Sequence, residues 1–168
     1  MLRFTRGFEF GFFENITFDA FNEFGFNTLF PQSIQLMGDE FGNYWILDLD
    51  NQGNWGAVYY VCHDPAVVVK HSDNLTQFLY HLDEYGQKMQ DSHLNNIHEK
   101  VVWDIWNNNK GLIEQMAYKI PFSPEFKALL PTTFVVADLT NRPLESGFSW
   151  NKYATADQII RLENQPIW

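Results

Sequence analysis

The 168 residues carry a formal net charge of −10 and are 45% hydrophobic and 17% aromatic. This composition excludes a disordered chain and suffices for one domain with a sizeable core. The sequence shows neither a membrane-length apolar run nor a signal-peptide pattern, and its one cysteine, Cys62, cannot form an internal disulfide. We therefore expect a cytoplasmic protein with a single domain over residues 1–168.

The negative charge is concentrated in the first half of the chain. Residues 1–84 hold 12 acidic and 3 basic residues, whereas residues 85–168 hold 9 acidic and 8 basic residues. An acidic field repels phosphate backbones and attracts basic proteins. Nucleic-acid binding is therefore not expected, and a basic protein partner is favoured, although the same charge could serve solubility alone.

The N-terminal region is rich in phenylalanine, with ten of the sixteen in the first thirty residues. Phe8, Phe10 and Phe12 recur with a period of two, which predicts a strand with one aromatic face. The aromatic residues from Phe18 to Phe30 have no clear period, so the sequence assigns no element to them.

An antiparallel meander follows, with strands predicted at residues 33–37, 44–50 and 55–63. On the middle strand, alternation places every second residue on one face. The face predicted to be core holds Trp45, Leu47 and Leu49. The face predicted to meet water holds Tyr44, Ile46, Asp48 and Asp50.

The first turn of the meander carries residues typical of tight turns. Gly38, Gly42 and Asn43 suit such a turn because Gly and Asn tolerate positive φ, and the Asp39 side chain can bond neighbouring amides. A structural role is favoured over catalysis for these residues. Asp48 and Asp50 could form an acid and base pair, but an ordinary solvated strand face is the simpler interpretation.

Two helices are predicted after the meander. The first, from Asn74 to Tyr85, has a capping box of Asn74 and Gln77 and a stop at Gly86, and it should bury Phe78 and Leu82 against Trp45, Leu47 and Leu49. The second, residues 92–107, should bury Leu94, Ile97, Val101 and Ile105. Further on, a proline-started helix is expected from Ser123-Pro124, a strand over residues 133–139, and a short helix with Ile159 and Ile160.

No catalytic or metal-binding set is evident from sequence spacing. His93 and His98 are five residues apart, which places them about 140° apart around a helix, and His63 and His71 have no ligand at metal-binding spacing beyond Asp64. Cys62 and His63 are neighbours on a strand, so their side chains point to opposite faces. We therefore predict no enzyme activity, no metal and no cofactor.

The ordered features between Phe24 and Leu82 resemble the SUKH superfamily, in its branch named for fungal cell-wall synthesis regulators of the Smi/Knr type. The features that carry the resemblance are Gly38-Asp39, Gly42-Asn43, Asp48, His63-Asp64, Leu75 and Phe78-Leu79. Family members usually open with a helix carrying a Leu-Pro step, and this chain lacks one. It is expected to be a divergent branch or a piece of a longer protein.

The resemblance implies an α+β fold, an antiparallel sheet with helices packed on it, and a non-enzymatic role. Bacterial members are chiefly immunity proteins that neutralise secreted toxins, often nucleases, and fungal members are signalling scaffolds. We expect an immunity protein, with a regulatory scaffold as the alternative. From charge and exposure, the residues expected to meet a basic toxin are Asp39, Glu40, Tyr44, Asp48 and Asp50.

Overall fold

The computed structural model describes residues 18–26, 29–39, 41–108, 113–114, 123–128, 132–137, 139, 142–152 and 154–161. Its architecture is α+β, as predicted, with a six-stranded antiparallel sheet and helices packed on it. The aromatic strand predicted at Phe8, Phe10 and Phe12 lies outside the described residues. The single-domain organisation stays a prediction.

The main sheet is an antiparallel meander extended at both edges. Its strands lie in the order β1, β2, β3, β4, β5, β8. Their bounds are β1 Asp19–Ala20, β2 Ser33–Gly38, β3 Tyr44–Leu49, β4 Trp55–His63, β5 Ala66–Ser72 and β8 Gly147–Ser149. The three predicted strands of the meander are thus confirmed.

The edge strand β8 packs closely against β5, and Gly147 makes this possible. A Cβ atom at this position would lie 2.2 Å from the carbonyl oxygen of Val68, a distance that no side chain can occupy. Glycine is required here because two backbones approach each other.

A second, three-stranded sheet is formed later in the chain, in the order β6, β7, β9. Its strands are β6 Ile113–Glu114, β7 Val135–Ala137 and β9 Ile159–Arg161, and β7 and β9 run parallel. The helix predicted at Ile159 and Ile160 is therefore wrong. The two isoleucines are β-branched and pair with β7, and only a 3₁₀ turn, Ala156–Gln158, precedes them.

The first predicted helix is confirmed as α1, Leu75–Lys88. Asn74 caps it by accepting a hydrogen bond from the Gln77 backbone N–H, but the Gln77 side chain accepts from the Asp73 N–H, so the capping box is incomplete. Gly86 does not end the helix, which continues to Lys88.

The second predicted helix is divided into three helical segments after a 3₁₀ turn at Met89–Asp91. They are α2 His93–Asn96, a π-helical turn Ile97–Val101 and α3 Val102–Asn108. The four residues predicted to be buried, Leu94, Ile97, Val101 and Ile105, are all buried. A short helix, α4 Pro124–Lys127, starts at the predicted proline. Within the described residues, no helix is long and apolar enough to cross a membrane.

One face of the main sheet is covered by the helices, as predicted. Trp45 and Leu47 are fully buried in one cluster with Phe78 and Leu82 of α1. Leu49 does not join this cluster and is partly exposed, because an irregularity in the pairing of β3 with β4 lies between Leu47 and Leu49.

The other face of the sheet is also covered, and the prediction that it meets water is wrong. A second core contains Ile46, Tyr59 and Val68 from the sheet, and it is closed by residues of β7 and β9 and by Phe21, Phe26, Leu29 and Phe30. Alternation separated the two faces correctly. It could not show that residues distant in sequence, such as Val135, Leu139 and Ile159, return to cover the second one.

Candidate protein-binding site

A five-residue turn motif, Asp-x-x-Gly-Asn, occurs at both ends of β3. In the first copy, Asp39 Oδ1 accepts hydrogen bonds from the backbone N–H groups of Phe41 and Asn43, both at 2.9 Å, and Oδ2 accepts from Asn43 Nδ2 at 2.8 Å. Gly42 has φ +78°, which favours glycine. The Asp39 side chain and the positive φ of Gly42 thus shape this turn.

The second copy runs from Asp50 to Asn54 with the same hydrogen bonds. Asp50 Oδ1 accepts from the backbone N–H groups of Gln52 and Asn54, and Oδ2 accepts from Asn54 Nδ2, all at 2.8 Å. Gly53 has φ +81°. The turns differ in burial, because Asp39 is 3% exposed whereas Asp50 is fully solvent-exposed.

The buried copy is tied to the neighbouring hairpin by Asn43. Its Oδ1 accepts from the His63 backbone N–H at 3.0 Å and lies 3.1 Å from His63 Nδ1. The first turn of the meander and the β4–β5 turn are therefore held side by side. Together with the π-helical turn they enclose a cleft.

This cleft, which we call the turn cleft, has a volume of about 430 Å³. Two large apolar side chains at its edge are exposed, Phe41 at 59% and Trp103 at 51%. Its lining consists of Phe41, Asn43, Tyr60, Cys62, His63, Asp64, Pro65, His98, Glu99, Val102 and Trp103. Exposed aromatic residues around a concave surface are typical of protein interfaces.

The turn cleft is also acidic. Asp64 is exposed at the β4–β5 turn, and the Glu99 side chain is 67% exposed on the π-helical turn. Beneath them lies Asp39, whose Oδ2 is 3.8 Å from His98 Nε2, an ion-pair distance. A basic partner would therefore meet negative charge around an aromatic pair.

Asp39 and His98 stabilise each other's charged forms. Burial acts to raise the pKa of Asp39, but His98, Asn43 and two backbone N–H groups outweigh it and hold that pKa below its ordinary value. The Asp39 carboxylate, with a further contribution from Glu99, raises the pKa of His98 against the opposing effect of burial. The pair thus fixes the π-helical turn over the first turn of the meander.

Cys62 lines the turn cleft but is unsuited to nucleophilic chemistry. Its side chain is 4% exposed, and burial raises its pKa to about 11, so it is a thiol at neutral pH. His63, its neighbour on β4, has its ring 6.3 Å from that of Phe24, which packs on the second core, whereas Cys62 belongs to the core beneath the helices.

The residues predicted from charge to form one acidic interface are divided by the structure. Asp39 is buried in its turn, and Tyr44 is half-buried with its ring 5.5 Å from that of Phe21. Asp48 is 4% exposed, and its Oδ1 lies 2.7 Å from Arg161 Nη1. Asp50 alone is fully exposed, and Glu40 lies outside the described residues. The exposure assumed for Asp39 and Asp48 was wrong.

A second, smaller cleft of about 260 Å³ is lined by Asp48, Asp50 and Arg161. Its exposed aromatic residue is Trp55, at 59%. Lys70 also lines this cleft, so two basic side chains reduce the negative charge there. This surface is less suited to a basic partner than the turn cleft.

Neither Phe41 nor Trp103 was predicted from the sequence to belong to a functional site. Phe41 sits inside a polar turn, and Trp103 lies between Val101 and Ile105 on the opposite side of the helix from the buried face. A large aromatic residue on the polar side of an amphipathic helix was the available signal. A group of three histidines was also not predicted: His71, His81 and His93 each place one ring nitrogen within 4.8 Å of the other two. The sequence spacing of the histidines could not indicate this group, because its members come from three different elements.

The described residues thus form an α+β fold with a cleft that exposes aromatic and acidic side chains. Residues 5–81 match the family described as SMI1 / KNR4 family (SUKH-1). The match spans slightly less than half of the chain, and it covers the residues that carry the resemblance to the SUKH superfamily, which it confirms. No curated protein and no solved structure shows a significant match to the chain.

Proposed function

We propose that this protein is an immunity protein that neutralises a secreted toxin by direct binding, without catalysis of its own. The observation that carries the proposal is the pair of exposed aromatic residues, Phe41 and Trp103, beside the acidic Glu99 and Asp64 of the turn cleft. The match of residues 5–81 to the SUKH-1 family supports a binding role, either as an immunity protein or as a regulatory protein.

The aromatic and the acidic side chains would contribute to toxin binding in different ways. Aromatic anchors in a concave site contribute most to the lifetime of a complex, because their burial removes much apolar area from water. Exposed acids around them accelerate encounter with a basic surface and are screened by salt. A toxin nuclease carries such a basic surface because it must bind nucleic acid.

A regulatory scaffold of the cell-wall regulator type is the second candidate, and the family match is equally compatible with it. The turn cleft would serve there as a docking site for another cellular protein. The two candidates differ in gene context, because an immunity gene should lie directly downstream of a large polymorphic toxin gene.

The test is co-expression with the C-terminal domain of the toxin encoded directly upstream. We expect the wild-type protein to restore growth of cells that produce the toxin domain, and the double variant F41A/W103A to fail. The matched control is Trp55→Ala, which removes an equally exposed aromatic residue from the other cleft and should still protect. Absence of an upstream toxin gene, or a wild-type protein that does not protect, would contradict the immunity role.

A further inference from the structure

Three histidines from three different elements meet beside the helix-covered face of the main sheet. His71 comes from β5, His81 from α1 and His93 from the start of α2. The ring centroid of His71 lies 5.1 Å from that of His81 and 5.1 Å from that of His93. The ring centroids of His81 and His93 are 4.2 Å apart. The three rings therefore surround one common point.

Ring nitrogens in this cluster are buried without a partner among the described residues. His71 is 0% exposed, and neither of its ring nitrogens has a hydrogen-bond partner among the described residues. His81 Nδ1 is likewise buried without a hydrogen-bond partner among these residues. Burying an unsatisfied polar group costs free energy. A ligand that binds these nitrogens would remove that cost.

A neutral imidazole offers one nitrogen lone pair, which is the donor that divalent transition metals bind. Each of the three rings can direct one nitrogen to the same point, so together they can supply three ligands to one ion.

His93 is held by a carboxylate, as metal-binding histidines usually are. Its Nδ1 lies 3.5 Å from Glu145 Oε1. Its Nε2 lies 3.0 Å from the backbone oxygen of His71, and it would leave this oxygen to bind the ion. Asn96 Nδ2 donates to Glu145 Oε1 at 3.0 Å, which orients the carboxylate. Such a carboxylate fixes the ring orientation of a ligand and raises its basicity.

We propose that His71, His81 and His93 form a binding site for a divalent transition-metal ion, with zinc as the ion best suited to it. A tetrahedral zinc with nitrogen ligands at about 2.0–2.1 Å needs nitrogens roughly 3.4 Å apart. The three ring nitrogens lie within 4.8 Å of one another, so the rings would move closer together when the ion binds. His81 and His93 are only partly buried, so they can rotate, whereas His71 is fixed. Water completes the fourth position.

The bound ion would join β5, α1 and α2 at one point. Because α2 leads directly into the π-helical turn that carries His98, the ion would also brace the helix beneath Trp103. A ligand that binds only the folded state raises its stability by mass action. The inference does not rest on the immunity role, since metal binding is measured on the protein alone.

The experiment uses untagged protein stripped with a chelator, titrated with Co²⁺ as a spectroscopic probe and then with Zn²⁺ in competition. We expect one ion per chain, visible absorption bands typical of four-coordinate Co²⁺, and a higher melting temperature with zinc. His81→Gln and His93→Gln should each weaken zinc binding at least tenfold, and Glu145→Gln should weaken it severalfold.

The control is His63→Gln, which keeps the histidine count of the variants but changes a ring outside the cluster. His63 pairs with Ala66 at one end of the β4–β5 hairpin, and five further residues of β5 place His71 about 17 Å away. Wild-type affinity in this control is expected. No uptake of Co²⁺ or Zn²⁺ at 100-fold excess, or equal affinity in His63→Gln and His81→Gln, would overturn the proposal.

Discussion

Arg161 Nη1 lies 2.7 Å from Asp48 Oδ1, and the two side chains are 13% and 6% exposed. This ion pair connects β9, in the small sheet, with the middle of the meander. It also explains why an acidic residue can occupy a strand face that is otherwise apolar, because a buried carboxylate is tolerated when it is paired.

The first prediction is that Asp48→Asn destabilises the fold. It leaves the Arg161 charge without its carboxylate in a buried position, and breaking such a pair costs about 3–5 kcal/mol. Asp50→Asn is the matched control, since Asp50 is fully exposed and its replacement should destabilise the protein much less. Urea unfolding of the three proteins measures both values, and equal midpoints for the two variants would contradict the prediction.

The two Asp-x-x-Gly-Asn turns provide a second comparison. Asn43→Ala removes the hydrogen bond to Asp39 and the acceptor of the His63 N–H at a buried position, whereas Asn54→Ala removes only contacts within an exposed turn. We expect a loss of about 2–3 kcal/mol for Asn43→Ala and of about 0.5–1 kcal/mol for Asn54→Ala. Chemical denaturation checks the order, and a larger loss for Asn54→Ala would be incompatible with it.

The third prediction concerns pH. The pKa of His98 is raised above its ordinary 6.5, so its contribution to stability is complete below pH 6.5 and is lost as the pH rises through the folded-state value. The pKa of Asp39 is lowered from 3.8, so its contribution is present above pH 3.8 and is lost as the pH falls. The pair thus stabilises most between about pH 4 and 6.5.

The variant that isolates this effect is His98→Gln. Because the His98 side chain is 34% exposed, solvent screening limits the contribution to less than about 1 kcal/mol. Unfolding free energies at pH 6 and pH 8 should show a decline in the wild-type protein that is smaller in the variant. An identical decline in both would show that His98 does not contribute.

The fourth prediction separates steering from anchoring in partner binding. Glu99→Gln with Asp64→Asn removes two exposed charges of the turn cleft and should slow association with the toxin domain and flatten its dependence on salt. Stability should change by less than about 0.5 kcal/mol, because both side chains are on the surface. Stopped-flow association rates at low and high salt test this, and an unchanged salt slope would refute it.

Much of the sheet could be predicted because its signals are local. Alternation located β3 and β4, and the turn chemistry of Asp39 and Gly42 marked the boundary between β2 and β3. The period of α1 identified Phe78 and Leu82 as its buried residues. Each of these features depends on residues within about ten positions of one another.

The candidate sites could not be predicted in this way, because each depends on contacts distant in sequence. The turn cleft joins Asn43 to His63 and to His98, and the ion pair of Asp48 joins it to Arg161 across 113 residues. His71 and His81 lie on a strand and a helix, where spacing along one element indicates nothing about their approach. A pattern within one element cannot report which other element will pack against it.

The most direct test of partner binding compares dissociation of the toxin domain from Trp103→Ala and from Trp55→Ala. Both side chains are exposed tryptophans, at 51% and 59%, but only Trp103 lies at the turn cleft. Removing a central aromatic anchor costs about 2 kcal/mol or more, so Trp103→Ala should dissociate at least 30-fold faster, and Trp55→Ala should match the wild type. Faster dissociation from Trp55→Ala with wild-type kinetics for Trp103→Ala would contradict this account.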